Sequence, residues 1–150
     1  MDRYAKTFTV RWADCDANGH MRNTAYSEYA IDVRIAFLSE HGFAFDQFLA
    51  SGIGPVLLRE EIDYLRELKL GESVEVDFRQ LGHTADGSRF RLQHDFTKSN
   101  GKQAARLVLE LAWMDLSTRR LAPPPEPLGR AMALVPRGEG WAELAPRERK

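Results

Sequence analysis

Polar and apolar residues alternate through residues 5 to 12, AKTFTVRW, with Phe8, Val10 and Trp12 on one side. That period of two predicts a strand. The period then changes. Tyr26, Tyr29, Ala30, Val33 and Phe37 recur at three- and four-residue steps, the stripe of one long helix running to about His41. Asn23 or Thr24 is placed to cap its start, and Gly42 to stop it. A short helical piece follows over Asp46 to Ala50, SGIGP breaks the chain, and a strand is expected from about Val56 to Arg66. LKLGES makes the next turn. Period-two alternation returns in residues 73 to 81, SVEVDFRQL, and 88 to 97, SRFRLQHDFT, on either side of the turn-forming ADG. Ser99-Asn100-Gly101 carries the strongest hairpin signal of the chain and leads into a strand from about Lys102 to Leu116. Three consecutive prolines then close the sheet, Glu126 to Leu134 reads as a short helix, and RGEGWAELAPRERK reads as a frayed end.

One strand, one long helix and four further strands predict an α+β fold, a five-stranded antiparallel sheet curled around one central helix. Residues 1–135 form this domain and residues 136–150 a C-terminal tail. A five-stranded sheet keeps open edges, and joining two sheets edge to edge removes that hazard, so a homodimer is expected.

Composition sharpens the picture only in places. With 43% apolar and 29% charged residues in 150, the chain has the makings of one globular core. No run reaches the roughly 18 apolar residues of a membrane span, and MDRYAKTFTV lacks a signal peptide's apolar stretch, so a cytoplasmic protein without membrane insertion is expected. A single cysteine, Cys15, cannot form an internal disulfide or a cysteine-type zinc site. The formal charge of −1 argues against nonspecific nucleic-acid binding.

The chemistry concentrates in RWADCDANGHMRNTAY, residues 11 to 26, where Asp14, Asp16, Asn18 and His20 alternate with small residues just ahead of the long helix. Gly19 lets the backbone bend there. A helix start offers unpaired N–H groups and a partial positive charge, which favour an oxyanion. DCDANG also matches the opening of a calcium-binding EF-hand loop, but its twelfth position is Ala25 instead of glutamate, and the preceding segment reads as strand. Asx and Gly residues are ordinary turn formers as well, and Asp14 or Asp16 can bond backbone amides alone.

ADCDANGHMRNTAYSEYA resembles the signature of the hotdog-fold acyl-CoA thioesterases of the 4-hydroxybenzoyl-CoA thioesterase type, in which a strand leads through a D-x-D-x-x-G-like turn into a central helix. EIDYLRELKLGESVEV and MDLSTRRLAPPPEPL are similar to further segments of that family. The resemblance implies a hotdog fold and hydrolysis of acyl-CoA thioesters, with Asp16 as the catalytic carboxylate. Asp16 either attacks the thioester carbonyl or activates a water. The backbone N–H at about Asn23 is the implied oxyanion contact. Because coenzyme A leaves as a good thiolate, no cofactor and no metal are implied.

DANGHMRN also looks like the D-x-N-x-H-x-N-N pattern of acyl carrier protein thioesterases, which would have Asn18 orient substrate or water and His20 assist proton transfer. Arg22 departs from that pattern, which has asparagine there. Glu28, Glu60, Glu61 and Asp63 are secondary acid candidates, since some hotdog enzymes carry a catalytic glutamate on the helix or the next strand. Cys15 is a poor nucleophile between two acids. Tyr26 and Tyr29, with Ala30 and Val33, are candidates for lining the acyl site. Arg89 and Arg91, with Arg59 and Lys98, are candidates for the coenzyme A phosphates. The expected partners are an acyl-CoA substrate, or an acyl carrier protein, and further copies of the chain as a homodimer or homotetramer. Two alternatives stay open: a hotdog hydratase, whose signature is not evident here, and a noncatalytic module that binds acyl thioesters.

Overall fold

The computed structural model describes residues 2–146. In chain order the elements are β1 (Ala5–Thr9), a 3-10 turn (Trp12–Asp14), α1 (Asn23–Glu40), α2 (Phe45–Ser51), β2 (Ile53–Tyr64), β3 (Ser73–Asp77), β4 (Arg79–His83), β5 (Arg89–Lys98), β6 (Gln103–Asp115), β7 (Arg120–Leu121) and α3 (Glu126–Ala133). The sheet runs β1-β3-β5-β6-β2, with β4 also pairing β5 and β7 pairing β6. Every ladder is antiparallel.

The helix stripe read from sequence is the one that is buried. Tyr26, Tyr29, Ala30, Val33 and Phe37 pack against Val74, Val76, Phe78, Leu92, Phe96, Leu107 and Leu109 of the sheet in a single core. Burying a side chain of this size stabilises by about 1.5–3 kcal/mol, so the α1 face and the sheet hold each other. The hairpin closes as expected, with the Lys98 and Lys102 backbones paired across Ser99-Asn100-Gly101 and the Lys102 N–H donating to Asn100 Oδ1 at 2.9 Å.

Four expectations are corrected. The first strand ends at Thr9, not residue 12, because Arg11 to Asp14 turn away to form the Arg11–Asp14 ion pair, and Trp12 is left 80% exposed. Neither Asn23 nor Thr24 caps α1. Arg22 holds the cap position, Asn23 is the first helical residue, and no side chain caps the end. The strand over 73–81 divides into β3 and β4 because the ladder to β5 is interrupted at Asp77. There the carboxylate accepts the Asp95 N–H at 2.6 Å, and the carbonyl oxygen accepts the His94 ring N–H at 2.7 Å. With that division, and with the two-residue β7 beside β6, the sheet carries seven strands, five of them on its main path.

The end of the chain is not frayed as far as Pro146. Gly138 N–H donates to the Gln80 carbonyl, Ala142 N–H to Leu81 and Leu144 N–H to His83, at 2.9, 3.1 and 2.9 Å. The tail thus lies along the free edge of β4, satisfying donors and acceptors that an open edge would expose. Gly82 makes this approach feasible, since a Cβ there would sit 2.1 Å from the Ala142 carbonyl oxygen. Residues 147–150 of the expected tail lie outside the described residues.

Candidate functional site

Asp14 and Asp16, two residues apart, do different things. The Asp14 side chain is buried, and its carboxylate takes a two-pronged contact from the Arg11 guanidinium, at 3.0 Å to each oxygen, with the Tyr29 hydroxyl donating at 2.5 Å. The Arg11 contact and then the Tyr29 hydrogen bond hold its pKa down at about 2 against the opposing effect of burial. Asp14 is a structural anchor: its backbone oxygen also accepts the Arg22 N–H at 2.7 Å, which pins the start of α1.

Asp16 faces outward on the next turn. Its backbone N–H donates to the His20 carbonyl at 2.9 Å, its carbonyl accepts Gly19 N–H at 3.0 Å, and its Oδ1 accepts Asn18 N–H at 2.9 Å. Gly19 closes the turn at φ 79°, a conformation that costs side-chain-bearing residues. An isolated bridge between Cys15 and Met21 closes this turn on itself, and one between His20 and Lys69 ties it to the segment after β2.

These ties create a cavity of about 390 Å³ lined by Asp16, His20, Met21, Asn23, Tyr26, Tyr64, Leu65, Arg66 and Glu67. The Tyr26 and Tyr64 rings meet edge to face at 5.2 Å, and Tyr64 Oη donates to the Asn23 carbonyl at 3.4 Å. His20 Nε2 lies 2.6 Å from Glu67 Oε2. Arg66 is held by a 2.7 Å bond from Nη1 to the Gln103 carbonyl. At the α1 end the backbone N–H of Asn23 has no acceptor among the described residues, as expected where a helix starts without a side-chain cap. A carboxylate, a free helix-terminal N–H and an imidazole thus border one space.

Of the residues singled out from sequence, Asp16, His20, Asn23 and Tyr26 come together at this cavity. Asn18 stays in the exposed turn, bonded to Asp16 through its backbone N–H. Tyr29 is buried against Phe8 and committed to Asp14, so within the protomer it is part of the anchor and not of the cavity wall. Arg89 and Arg91 lie on the opposite half of β5. Arg89 Nη1 reaches the Ala145 carbonyl at 3.4 Å, and Arg91 sits 3.5 Å from Glu110. Neither reaches the cavity of its own protomer.

Three of the four secondary acids are engaged elsewhere, Glu28 with Arg22, Glu60 with Ser27 and Glu61 with Arg59, and the fourth, Asp63, does not line the cavity. Arg22, the departure from the carrier-protein pattern, is placed to brace the turn, its Nη1 donating to the Ala13 carbonyl at 2.5 Å and its Nε to Thr24 Oγ1 at 3.0 Å. Tyr64, Leu65, Arg66 and Glu67 were missed from sequence. Their charged, strand-end pattern carries no local signal, and contacts between distant residues, the His20–Lys69 bridge and the Met21 N–H to Leu68 carbonyl bond among them, bring them to the turn.

A family model matches residues 10–132, described as the thioesterase-like superfamily. The chain belongs to the thioesterase-like superfamily. That membership, together with the curled sheet around α1, establishes a hotdog acyl-CoA thioesterase fold and thioester hydrolysis as the general activity of the group. Among solved structures, a Staphylococcus aureus protein determined in complex with CoA is 24% identical with a TM-score of 0.81, the match covering 98% of this chain and 90% of that one. A 1,4-dihydroxy-2-naphthoyl-CoA thioesterase from Synechocystis is 19% identical over 88% of this chain and 96% of its own, TM-score 0.79. A DHNA-CoA thioesterase from Staphylococcus aureus is 18% identical over 89% and 93%, TM-score 0.77. No curated protein sequence matches significantly. Among the described residues no helix is long and apolar enough to cross a membrane.

Proposed function

We propose that this chain hydrolyses acyl-CoA thioesters to the free acid and coenzyme A, with Asp16 as the reacting carboxylate. The observation that carries the reading is the convergence of the Asp16 side chain and the unpaired Asn23 N–H on one cavity at the start of α1. The thioester carbonyl oxygen would accept from Asn23, where the helix dipole favours developing negative charge. Asp16 then either attacks the carbonyl carbon, giving an anhydride that water opens, or takes a proton from the attacking water. In both routes the C–S bond breaks, the thiolate leaves, and one water is consumed. His20, paired with Glu67, is placed to exchange protons with solvent at the cavity rim. Asn18 supports the Asp16 turn through its backbone. Arg66 is the cation at the cavity, and takes over within the protomer the phosphate contact that sequence assigned to Arg89 and Arg91.

Two copies are proposed to pair through β2, which lies at the sheet edge with Leu57 and Leu58 exposed. Antiparallel pairing about the middle of β2 sets its start in one copy against its end in the other. An apolar groove of about 330 Å³, lined by Ile35, Phe45, Phe48, Leu49, Ile53 and Leu116, would then adjoin the second copy's catalytic cavity and receive the acyl group. The two structural relatives named as 1,4-dihydroxy-2-naphthoyl-CoA and DHNA-CoA thioesterases make aromatic acyl groups the first to try.

Thiol release from benzoyl-, naphthoyl-, short-chain and long-chain acyl-CoAs by the wild type and Asp16→Asn tests this. The variant should keep the wild-type circular dichroism and lose at least about 100-fold in turnover. Near-normal turnover in the folded variant would remove Asp16 from the chemistry. No release from any ester by the wild type, with tight acyl-CoA binding, would identify a noncatalytic binding module, and release only from acylated carrier protein would change the carrier.

A further inference from the structure

A second cavity, of about 320 Å³, opens at the other end of the sheet, where Phe90, Trp113, Met132 and Gly129 form apolar walls and Gln80, His83 and Asp86 supply polar groups. It is separate from the thioester cavity. Tyr26 of that cavity packs on Phe96 at 5.2 Å between ring centroids, whereas Phe90 lies six residues away along β5, about 20 Å at strand rise.

The polar groups are arranged, not scattered. Gln80 is only 4% exposed, and its Oε1 accepts the Trp141 indole N–H at 3.1 Å. An indole nitrogen can only donate, so this contact fixes which way the amide faces. Gln80 Nε2 is left at the cavity wall without an acceptor among the described residues. Water reaches that nitrogen from the cavity, and a ligand acceptor would take the place of that water. The His83 ring nitrogen Nδ1 lies 2.6 Å from the Thr84 carbonyl, which makes it the protonated nitrogen and Nε2 an acceptor. Asp86 Oδ1 is filled by Thr84 Oγ1, Ser88 N–H and Ser88 Oγ at 2.8–3.0 Å, leaving its carboxylate charge at the cavity.

These features select a ligand. The Phe90 and Trp113 rings, stacked at 4.9 Å and each 3% exposed, give the cavity a small apolar wall, which suits an aromatic ring. Gln80 Nε2 can donate to an acceptor on it, and His83 Nε2 can take a donor beside that acceptor. Asp86 repels an anion. We propose that this cavity is a second binding site, for an uncharged planar aromatic molecule bearing a carboxamide or lactam group, held between the sheet and α3, with the tail's Trp141 orienting the Gln80 amide.

Benzamide is the probe, with benzoate and toluene as controls. The chain has three tryptophans: Trp12 is 80% exposed and away from the site, Trp113 lines it, and Trp141 touches its walls through Gln80 and His83. In indole N–H spectra of the whole protein, benzamide should shift the Trp113 and Trp141 signals saturably at millimolar concentration and leave Trp12 in place. Gln80→Glu keeps the acceptor for Trp141 but puts a carboxylate where the amide nitrogen was, and should weaken benzamide about five- to tenfold or more. Ala133→Trp fills the mouth from an exposed wall position and should abolish the shifts without unfolding the protein. Neither variant should change thiol release by the Asp16 site. The proposal fails if benzamide gives no saturable shift, if toluene or benzoate binds as tightly, or if both variants bind as the wild type does.

Discussion

At the scale of single residues, burial separates two aspartates that look alike in sequence. Asp14 has both carboxylate oxygens bonded by Arg11 and one of them also by Tyr29, and holds the turn; Asp16, two residues on, keeps one carboxylate oxygen free at the cavity. Removing the charge of Asp14 by Asp14→Asn should therefore cost about 2 kcal/mol of stability in urea unfolding, the worth of charge-assisted hydrogen bonds. Its pKa is lowered from 3.8 to about 2 on folding, so its contribution is complete above about pH 4 and is lost as pH falls toward 2. Acid unfolding of the wild type should steepen in that window and that of Asp14→Asn should not. An equal steepening in both would assign the acid sensitivity to another carboxylate. The alternation Asp, Asp, Asn, His was visible in the sequence; which acid was anchored was not, because Tyr29 and Arg11 reach Asp14 through space.

Among the elements, α1 is tied to the sheet by a polar contact as well as by its apolar stripe. Arg34 Nη1 donates to His94 Nε2 at 3.0 Å, and His94 Nδ1 donates to the Asp77 carbonyl. Burial, reinforced by the Arg34 charge, lowers the His94 pKa to about 3, so this imidazole is neutral in the folded protein and protonated near 6.5 when unfolded. A base with a depressed folded pKa makes stability fall as pH drops below the unfolded value. Stability measured by urea unfolding should decline from about pH 6.5 toward 3, and His94→Gln should flatten that slope; an unchanged slope would show that His94 does not carry it. The second element-scale test concerns the tail. Gly82→Ala would force the Ala142 carbonyl away, and faster hydrogen exchange at Ala142 and Leu144, with a loss of about 1–3 kcal/mol, is expected. Unchanged exchange would mean that the tail does not need this approach. The period-two and helical patterns made most elements legible, but the break at Asp77 and the pairing of the tail were hidden, since both depend on hydrogen bonds between residues distant in sequence.

For the whole molecule, the exposed edge of β2 and the apolar face beside it matter most. Ile31 and Ile35, one turn apart on α1, are 47% and 36% exposed next to the apolar groove. Contiguous apolar surface of this kind is what a second copy would cover. Ile31→Lys should shift the sedimentation of the wild-type assembly toward the monomer and reduce thiol release with it. A wild type that sediments as a monomer at full activity would refute pairing through β2. The sequence implied pairing through the generic argument that open edges need partners and through the resemblance to hotdog enzymes, and neither named the edge.

What the sequence determined by itself was periodic or local: one long amphipathic helix, the antiparallel strands and their Asn-Gly hairpin, and the acid-rich turn that resembles a hotdog thioesterase signature. Such features are set by residue spacing and backbone preference, and neighbouring residues carry them. The tertiary structure decided what spacing cannot encode. It chose Asp16 over Asp14 as the outward acid, brought Tyr64, Arg66 and Glu67 to the turn while leaving Arg89 and Arg91 on the far half of β5, and laid the tail along β4. Each of those outcomes follows from which distant groups meet and which are removed from water, and that is fixed only when the sheet closes around the helix.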